Sequence, residues 1–327
     1  MTPSPRVAVS TFFTIAGFIS ATWIARIPAA AIKLDLDTAQ LGSLLLFIAI
    51  GSLLAFQFVG RVIELQGSAR TATMTGSGFV VGLSLLALSP HPAVLALALF
   101  LYGIGFGGVD VAMNAQGVVV ERRLHKPIMG SLHGFFSLGA LVGAALSGLV
   151  AEAGIGLIPH FLVFSAIGLG FTLWASRGQI ADDPAPVQDA ASPQPARFAL
   201  PPRVLWPLGV IAFCAALGEG SMADWSALYV HDELGGTEGV AAFVFTAFST
   251  TMLIGRFAGD RIVARFGAVR SVRTGSMIAS IGMLAGLLPG TVTAAAIGFA
   301  IMGLGLSLVI PVVYSAAGST LARIIHE

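Results

Sequence analysis

The 327 residues are 56% hydrophobic and only 10% charged, with 40 glycines, a mean hydropathy of +0.90 and a formal net charge of +1. A water-soluble domain carries about 25% charged residues because its surface faces water, so a soluble globular protein is excluded and an all-α integral membrane protein is expected. The single cysteine, Cys214, excludes an internal disulfide and a multi-cysteine metal site.

A membrane helix needs roughly 20 predominantly apolar residues. Such windows fall at approximately 7–30, 38–59, 71–89, 92–119, 128–151 and 156–175, then at 204–230, 238–258, 272–289 and 291–320. They predict ten spans. The stretch after Arg6 is followed by many similar ones, so it is a first span rather than a cleavable leader. Between the sixth and seventh windows lies one long polar interval with Asp182, Asp183, Pro184, Pro186, Pro193 and Pro195, the composition of a linker. The expected organisation is a six-helix bundle over 1–176, a cytoplasmic linker over 177–203 and four helices of a second bundle over 204–327.

The basic residues orient the chain. With the N-terminus inside, Arg6, Arg61, Arg70, Arg122, Arg123, Lys126, Arg177, Arg197 and Arg203 fall in cytoplasmic segments. Arg256, Arg261, Arg265, Arg270, Arg273 and Arg323 join them, and only Arg26 and Lys33 of the 17 basic residues are left outside. Positive loops stay in the cytoplasm, so a multi-pass protein of a bacterial inner (plasma) membrane with a cytoplasmic N-terminus is expected.

The two halves repeat. Ala21-Thr22-Trp23-Ile24-Ala25 returns as Ala223-Asp224-Trp225-Ser226-Ala227. Arg61-Val62-Ile63 with Gly67 and Arg70 returns 200 residues later as Arg261-Ile262-Val263 with Gly267 and Arg270, and Gly103-Ile104-Gly105 returns as Gly303-Leu304-Gly305. A copy of the fifth span is therefore due near 328, and the sequence reads as one shortened after the tenth of twelve spans.

Six spans, a linker and a parallel repeat resemble the major facilitator superfamily. The turn after the second span carries that resemblance most specifically, with Gly60, Glu64 and Gly67 in the family's glycine–acid–glycine order beside Arg61 and Arg70. Leu65, Ser68 and Ala69 depart from the basic residues usual there. Trp23 with Arg26-Ile27-Pro28, Asp110 with Asn114 and Gln116, Leu132-His133-Gly134-Phe135-Phe136-Ser137, and Glu219 with Asp224-Trp225 are similar to a bacterial branch of fucose-type sugar permeases. The fifth span has Gly139, Gly143 and Gly148 but no proline, unlike drug–proton antiporters. What the resemblance implies is a major-facilitator-type bundle and a cytoplasmic latch. The latch residues would be Gly60, Arg61, Glu64, Gly67 and Arg70 with their second-half counterparts Asp260, Arg261 and Gly267.

Ionisable groups inside spans are costly and mark pathways or paired sites. Asp110, Asn114, Gly117 and Glu121 share one face of the fourth span, since i, i+4, i+7 and i+11 align on a helix. His133, about 9 Å into the fifth span at 1.5 Å per residue, is placed to meet that face, and a histidine beside a carboxylate relays protons. Glu219 and Asp224 point some 140° apart on the seventh span, and Glu219 is the favoured coupling residue. Arg26 is placed to pair with Glu219 or Asp224 at the outer mouth, or to snorkel beside Lys33. The expected cavity set is Trp23, Arg26, Asp110, Asn114, Gln116 and Trp225, and the expected proton set is Glu219, Asp224, Asp110 and His133.

No Walker motif, His-Glu-x-x-His or workable Gly-x-Ser-x-Gly is present, which argues against an ATP-driven pump and a membrane enzyme. The expected function is proton-coupled secondary transport of a sugar-like or other small polar solute by alternating access. A transport-inactive fragment, a membrane sensor or assembly protein, and an efflux carrier for amphiphiles are the alternatives. Lipid, solute and proton are the expected partners, for a monomer with no cofactor, metal or nucleic acid.

Overall fold

The computed structural model describes residues 2–182, 202–236 and 238–326. The linker expected over 177–203 therefore lies largely outside the described residues. Helices make up the first half as α1 (Pro5–Lys33), α2 (Thr38–Gln66), α3 (Ser68–Leu88), α4 (Pro92–Leu124), α5 (Met129–Glu152) and α6 (Leu157–Ser176). The second half holds α7 (Trp206–Leu228), α8 (Glu238–Phe266), α9 (Ala268–Leu287), α10 (Val292–Leu306) and α11 (Val309–His326). No strand occurs among the described residues. In hydrocarbon every backbone N–H and C=O must be satisfied internally, which leaves a chain of this hydropathy little choice but helices.

Among the described residues, eight stretches are long and apolar enough to cross a membrane, α10 and α11 counting as one. The other two helices, α8 and α9, have 29 and 20 residues. Both have the length to span, but Arg256, Asp260, Arg261 and Arg265 dilute the first, and Arg270 and Arg273 the second.

The chain divides into two compact units. One comprises Met1–Val120 with Phe135–Pro193, the other Glu121–Gly134 with Gln194–Glu327. The last turn of α4 and the opening turns of α5 thus belong to the second unit.

Each unit repeats the same local solutions 200 residues apart. Gly67 and Gly267 adopt φ +84° and +80°, a conformation that costs residues with a Cβ dearly, and so turn α2 into α3 and α8 into α9 within one residue. Gly103 lies so close to α2 that a Cβ there would sit 2.3 Å from the Ile48 carbonyl oxygen, and Gly303 stands at the same 2.3 Å from that of Phe248 on α8. Helices in lipid associate by this close backbone approach rather than by expelling water.

The tenth predicted span is not one helix. Pro311 lacks an N–H, and its ring would crowd the Ser307 carbonyl, so the helix breaks at 307–308. The repeat places Val111 at the equivalent point, and α4 runs unbroken for 33 residues.

Candidate functional site

In the second unit, α7 and α8 bring together one carboxylate and one guanidinium. Arg256 Nη2 donates to both Glu219 oxygens at 3.0 Å. Arg256 is 7% exposed, and the Glu219 side chain 26%. Arg256 lies ten residues before the end of α8, inside the expected window 238–258, where an unpaired cation would not be tolerated.

One turn further along α8, Asp260 Oδ1 accepts from Ser131 N at 3.1 Å. Glu121, at the end of α4, accepts with Oε2 from Ile128 N (2.8 Å) and Met129 N (3.1 Å), and with Oε1 from Ser315 Oγ on α11. Two acids therefore satisfy the first N–H groups of α5, which the helix itself leaves without partners. Gly130 makes the fit possible, since a Cβ there would stand 2.8 Å from both Arg256 O and Asp260 Oδ1. A cavity of about 160 Å³ opens beside them, lined by Glu121, Gly130, Asp260, Pro311, Ser315 and Ser319 among others. His133, on the next turn of α5, lies against the Tyr314 ring (centroids 5.9 Å apart) and within electrostatic reach of Arg256.

In the first unit, Asn114 Nδ2 donates to Asp110 O at 2.8 Å and to Asp110 Oδ1 at 3.4 Å. Asn114 is 2% exposed, and its Oδ1 has no partner among the described residues. The shared face expected for these two is formed.

The remaining predicted residues go elsewhere. Trp23 is buried at 2% exposure, edge-on to Phe161 of α6 (6.3 Å). Trp225 is 66% exposed, and the side chain of Asp224 lies outside the described residues. Gln116 is spent on Ser68 Oγ and Ile180 O, 2.8 Å each, rather than on a cavity. Arg61, Glu64, Arg70 and Arg261 are exposed and form no ion pair among the described residues. Among the described residues the turn after α2 therefore holds no acid–arginine pair.

Arg26 and Lys33 both hold the ends of helices. Arg26 donates to Ile155 O (3.0 Å) just past α5, and Lys33 donates to Ala87 O (2.6 Å) and Ser89 O (2.9 Å) at the end of α3. Helix C-termini carry unpaired carbonyls and partial negative charge, so a cation there is favoured. Sequence reasoning missed Ser68, Ser131, Asp182 and Ser315, which carry no motif. It also missed the role of Arg256, although that residue's position within a span was a usable signal.

A repeat of apolar helices, with a buried ion pair and acid-capped helix ends between them, defines a polytopic membrane protein of the carrier kind. The family model for the Major Facilitator Superfamily matches residues 7–324. The chain belongs to that superfamily. It is 33% identical over 325 residues to the uncharacterized transporter y4wD of Sinorhizobium fredii, covering 97% of this chain and 83% of that one. It is likewise 33% identical over 318 residues to an uncharacterized MFS-type transporter of Yersinia pestis, covering 97% and 81%. Among solved structures it resembles FucP in the outward conformation, with a TM-score of 0.73 at 15% identity over 98% of this chain and 90% of that chain. At that identity the likeness concerns the fold alone. The protein is a multi-pass membrane transporter and not an enzyme.

Proposed function

We propose that the protein is a proton-coupled secondary transporter of a small polar, sugar-like solute, working by alternating access from an inner membrane with its N-terminus in the cytoplasm. The Glu219–Arg256 pair carries the coupling. Protonating Glu219 removes the charge that balances a guanidinium buried among apolar helices. Breaking such a pair costs about 3–5 kcal/mol, enough to move an equilibrium between two conformations by two orders of magnitude or more. Asp260, one turn from Arg256, ties the same stretch of α8 to the start of α5, so a shift at the pair reaches the helix cap directly. Asp110 and Asn114 form the polar face that meets solute from the first unit. A structural neighbour described as the E. coli fucose:proton symporter supports proton coupling and a sugar-like solute as the first combination to try.

The test is uptake of radiolabelled sugars into proteoliposomes, with and without an imposed pH gradient. Accumulation driven by the gradient is expected, and Glu219→Gln is expected to abolish accumulation while keeping solute exchange. Uptake indifferent to pH, or full accumulation by Glu219→Gln, would remove Glu219 from this role. No uptake of any solute tried would favour a chain that does not transport.

A further inference from the structure

Gly67 gives α3 its left-handed start but has no side chain with which to cap it. The cap comes from beyond α6. Asp182 Oδ2 accepts from Ser68 N at 2.5 Å, and Asp182 Oδ1 accepts from Ser68 Oγ at 2.5 Å. Gln116, fully buried on α4, donates through Nε2 to Ser68 Oγ and to Ile180 O. Thr73 Oγ1 on α3 donates to Gln179 Oε1 at 3.0 Å. Gly178 packs so tightly on the chain before α1 that a Cβ would meet Pro3 O at 2.4 Å. Residues 178–182 are laid across the ends of α1, α3 and α4, wholly within the first unit.

The second unit supplies the control. Gly267 starts α9 with the same backbone, but Ala268 stands where Ser68 does, Ala316 stands where Gln116 does, and α9 begins without a side-chain cap. A helix with the same start thus forms without this arrangement, so helix formation alone does not call for it. Nor is it the superfamily latch, whose residues Arg61, Glu64 and Arg70 lie exposed. In the first half the arrangement ends on Asp182, from which the chain runs on through 183–201 to the second unit.

We propose that Ser68, Gln116 and Asp182 form a clamp that fastens the root of the segment joining the two units to the turn between α2 and α3, so that root and turn move as one body. A carboxylate is well suited to this, because the N-terminus of α3 attracts negative charge and its bonds to Asp182 are charge-assisted.

Amide hydrogen exchange on the purified full-length chain reads the clamp, with 67–72 and 178–182 as the reporting segments and 267–272 as the internal reference. Asp182→Asn is expected to speed exchange in both reporting segments together, by about tenfold or more for the loss of charge-assisted bonds, and to leave 267–272 unchanged. Gln116→Leu should act on the same two segments more weakly. In a Cys214→Ser background, Ser68→Cys with Asp182→Cys should form a disulfide under mild oxidant and restore protection to both. If 178–182 loosened while 67–72 did not, or neither changed, the two would not be clamped and the proposal would fall. Equal acceleration at 267–272 would also overturn it, by making these residues general supports of folding.

Discussion

Phe13 is fully buried in α1, whereas Phe213 of α7 is 67% exposed. Trp23 and Trp225 differ in the same way, at 2% and 66%. Gly17 fits against α5, where a Cβ would come within 2.0 Å of Phe136 O, while Leu217 of α7 is 59% exposed. In the first unit, α5 reaches α1 through Gly139 and Gly143, and α6 packs along α1 and α3. No described helix takes those places in the second unit, and a groove of about 310 Å³ lined by Val210, Cys214, Ser276 and Met283 runs beside α7 instead. Yet Gly103 and Gly303 grip their neighbours alike. The contact between the second and fourth helices of each half is self-sufficient, whereas burial of the first helix depends on what covers it.

The sharpest way to break this comparison is to exchange residues at the first such position. Gly17→Leu drives a side chain into the α5 backbone, where nothing flexible can yield, and is expected to abolish the monodisperse folded protein on size-exclusion chromatography. Leu217→Gly should leave that profile intact. A well-folded Gly17→Leu protein would mean that α1 and α5 do not approach closely.

A second contrast concerns charge. Arg256 corresponds to Phe56, and the register that aligns Trp225 with Trp23 sets Glu219 against Gly17, so the first half has neither charge and the ion pair belongs to the second unit alone. Glu219→Gln and Arg256→Gln are each expected to cost about 3–5 kcal/mol in denaturation experiments, with the double variant costing much less than their sum. Installing apolar side chains in both places, Glu219→Ile with Arg256→Phe, should restore most of the stability while leaving accumulation under a pH gradient lost. Additive single effects would show that the two side chains do not interact.

Pro311 offers a smaller effect with the opposite sign. Its counterpart is Val111 in an unbroken α4, and an interior proline costs a helix about 3 kcal/mol. Part of that cost is already relieved by the break at 307–308. Pro311→Val is expected to raise the thermal midpoint by a few degrees, in line with about 1 kcal/mol, and to slow uptake if the break flexes during the cycle.

These contrasts mark what the sequence could and could not convey. The spans and the 200-residue repeat were legible because membrane helices must be apolar for about 20 residues, and because Gly67, Gly103 and Gly105 are needed again at 267, 303 and 305 for the same steric reasons. The break at Pro311 was also written in the sequence, and one long apolar window concealed it. The pairing of Arg256 with Glu219 was hidden because counting charge along the chain does not report which helices meet. Gln116 resembled a cavity residue because its neighbours Asp110 and Asn114 do, but position 116 falls on a different face of α4. The fate of Arg26 and Lys33 depended on where α3 and α5 end in space, which no spacing along α1 reports.

The smallest expected effect tests coverage itself. Phe13→Ala would leave a cavity among α1's neighbours and is expected to cost about 3–5 kcal/mol. Phe213→Ala removes a ring that touches little within the second unit, so its effect on the denaturation midpoint should correspond to no more than about 0.5 kcal/mol. Measured in detergent, near-neutrality would agree with a face that meets only amphiphile. Measured again in lipid vesicles, the same near-neutrality would show that α7 faces acyl chains there too. A cost of 2 kcal/mol or more confined to the vesicles would mean that protein covers Phe213 in the membrane, and the difference between α1 and α7 would then be one of partner rather than of burial.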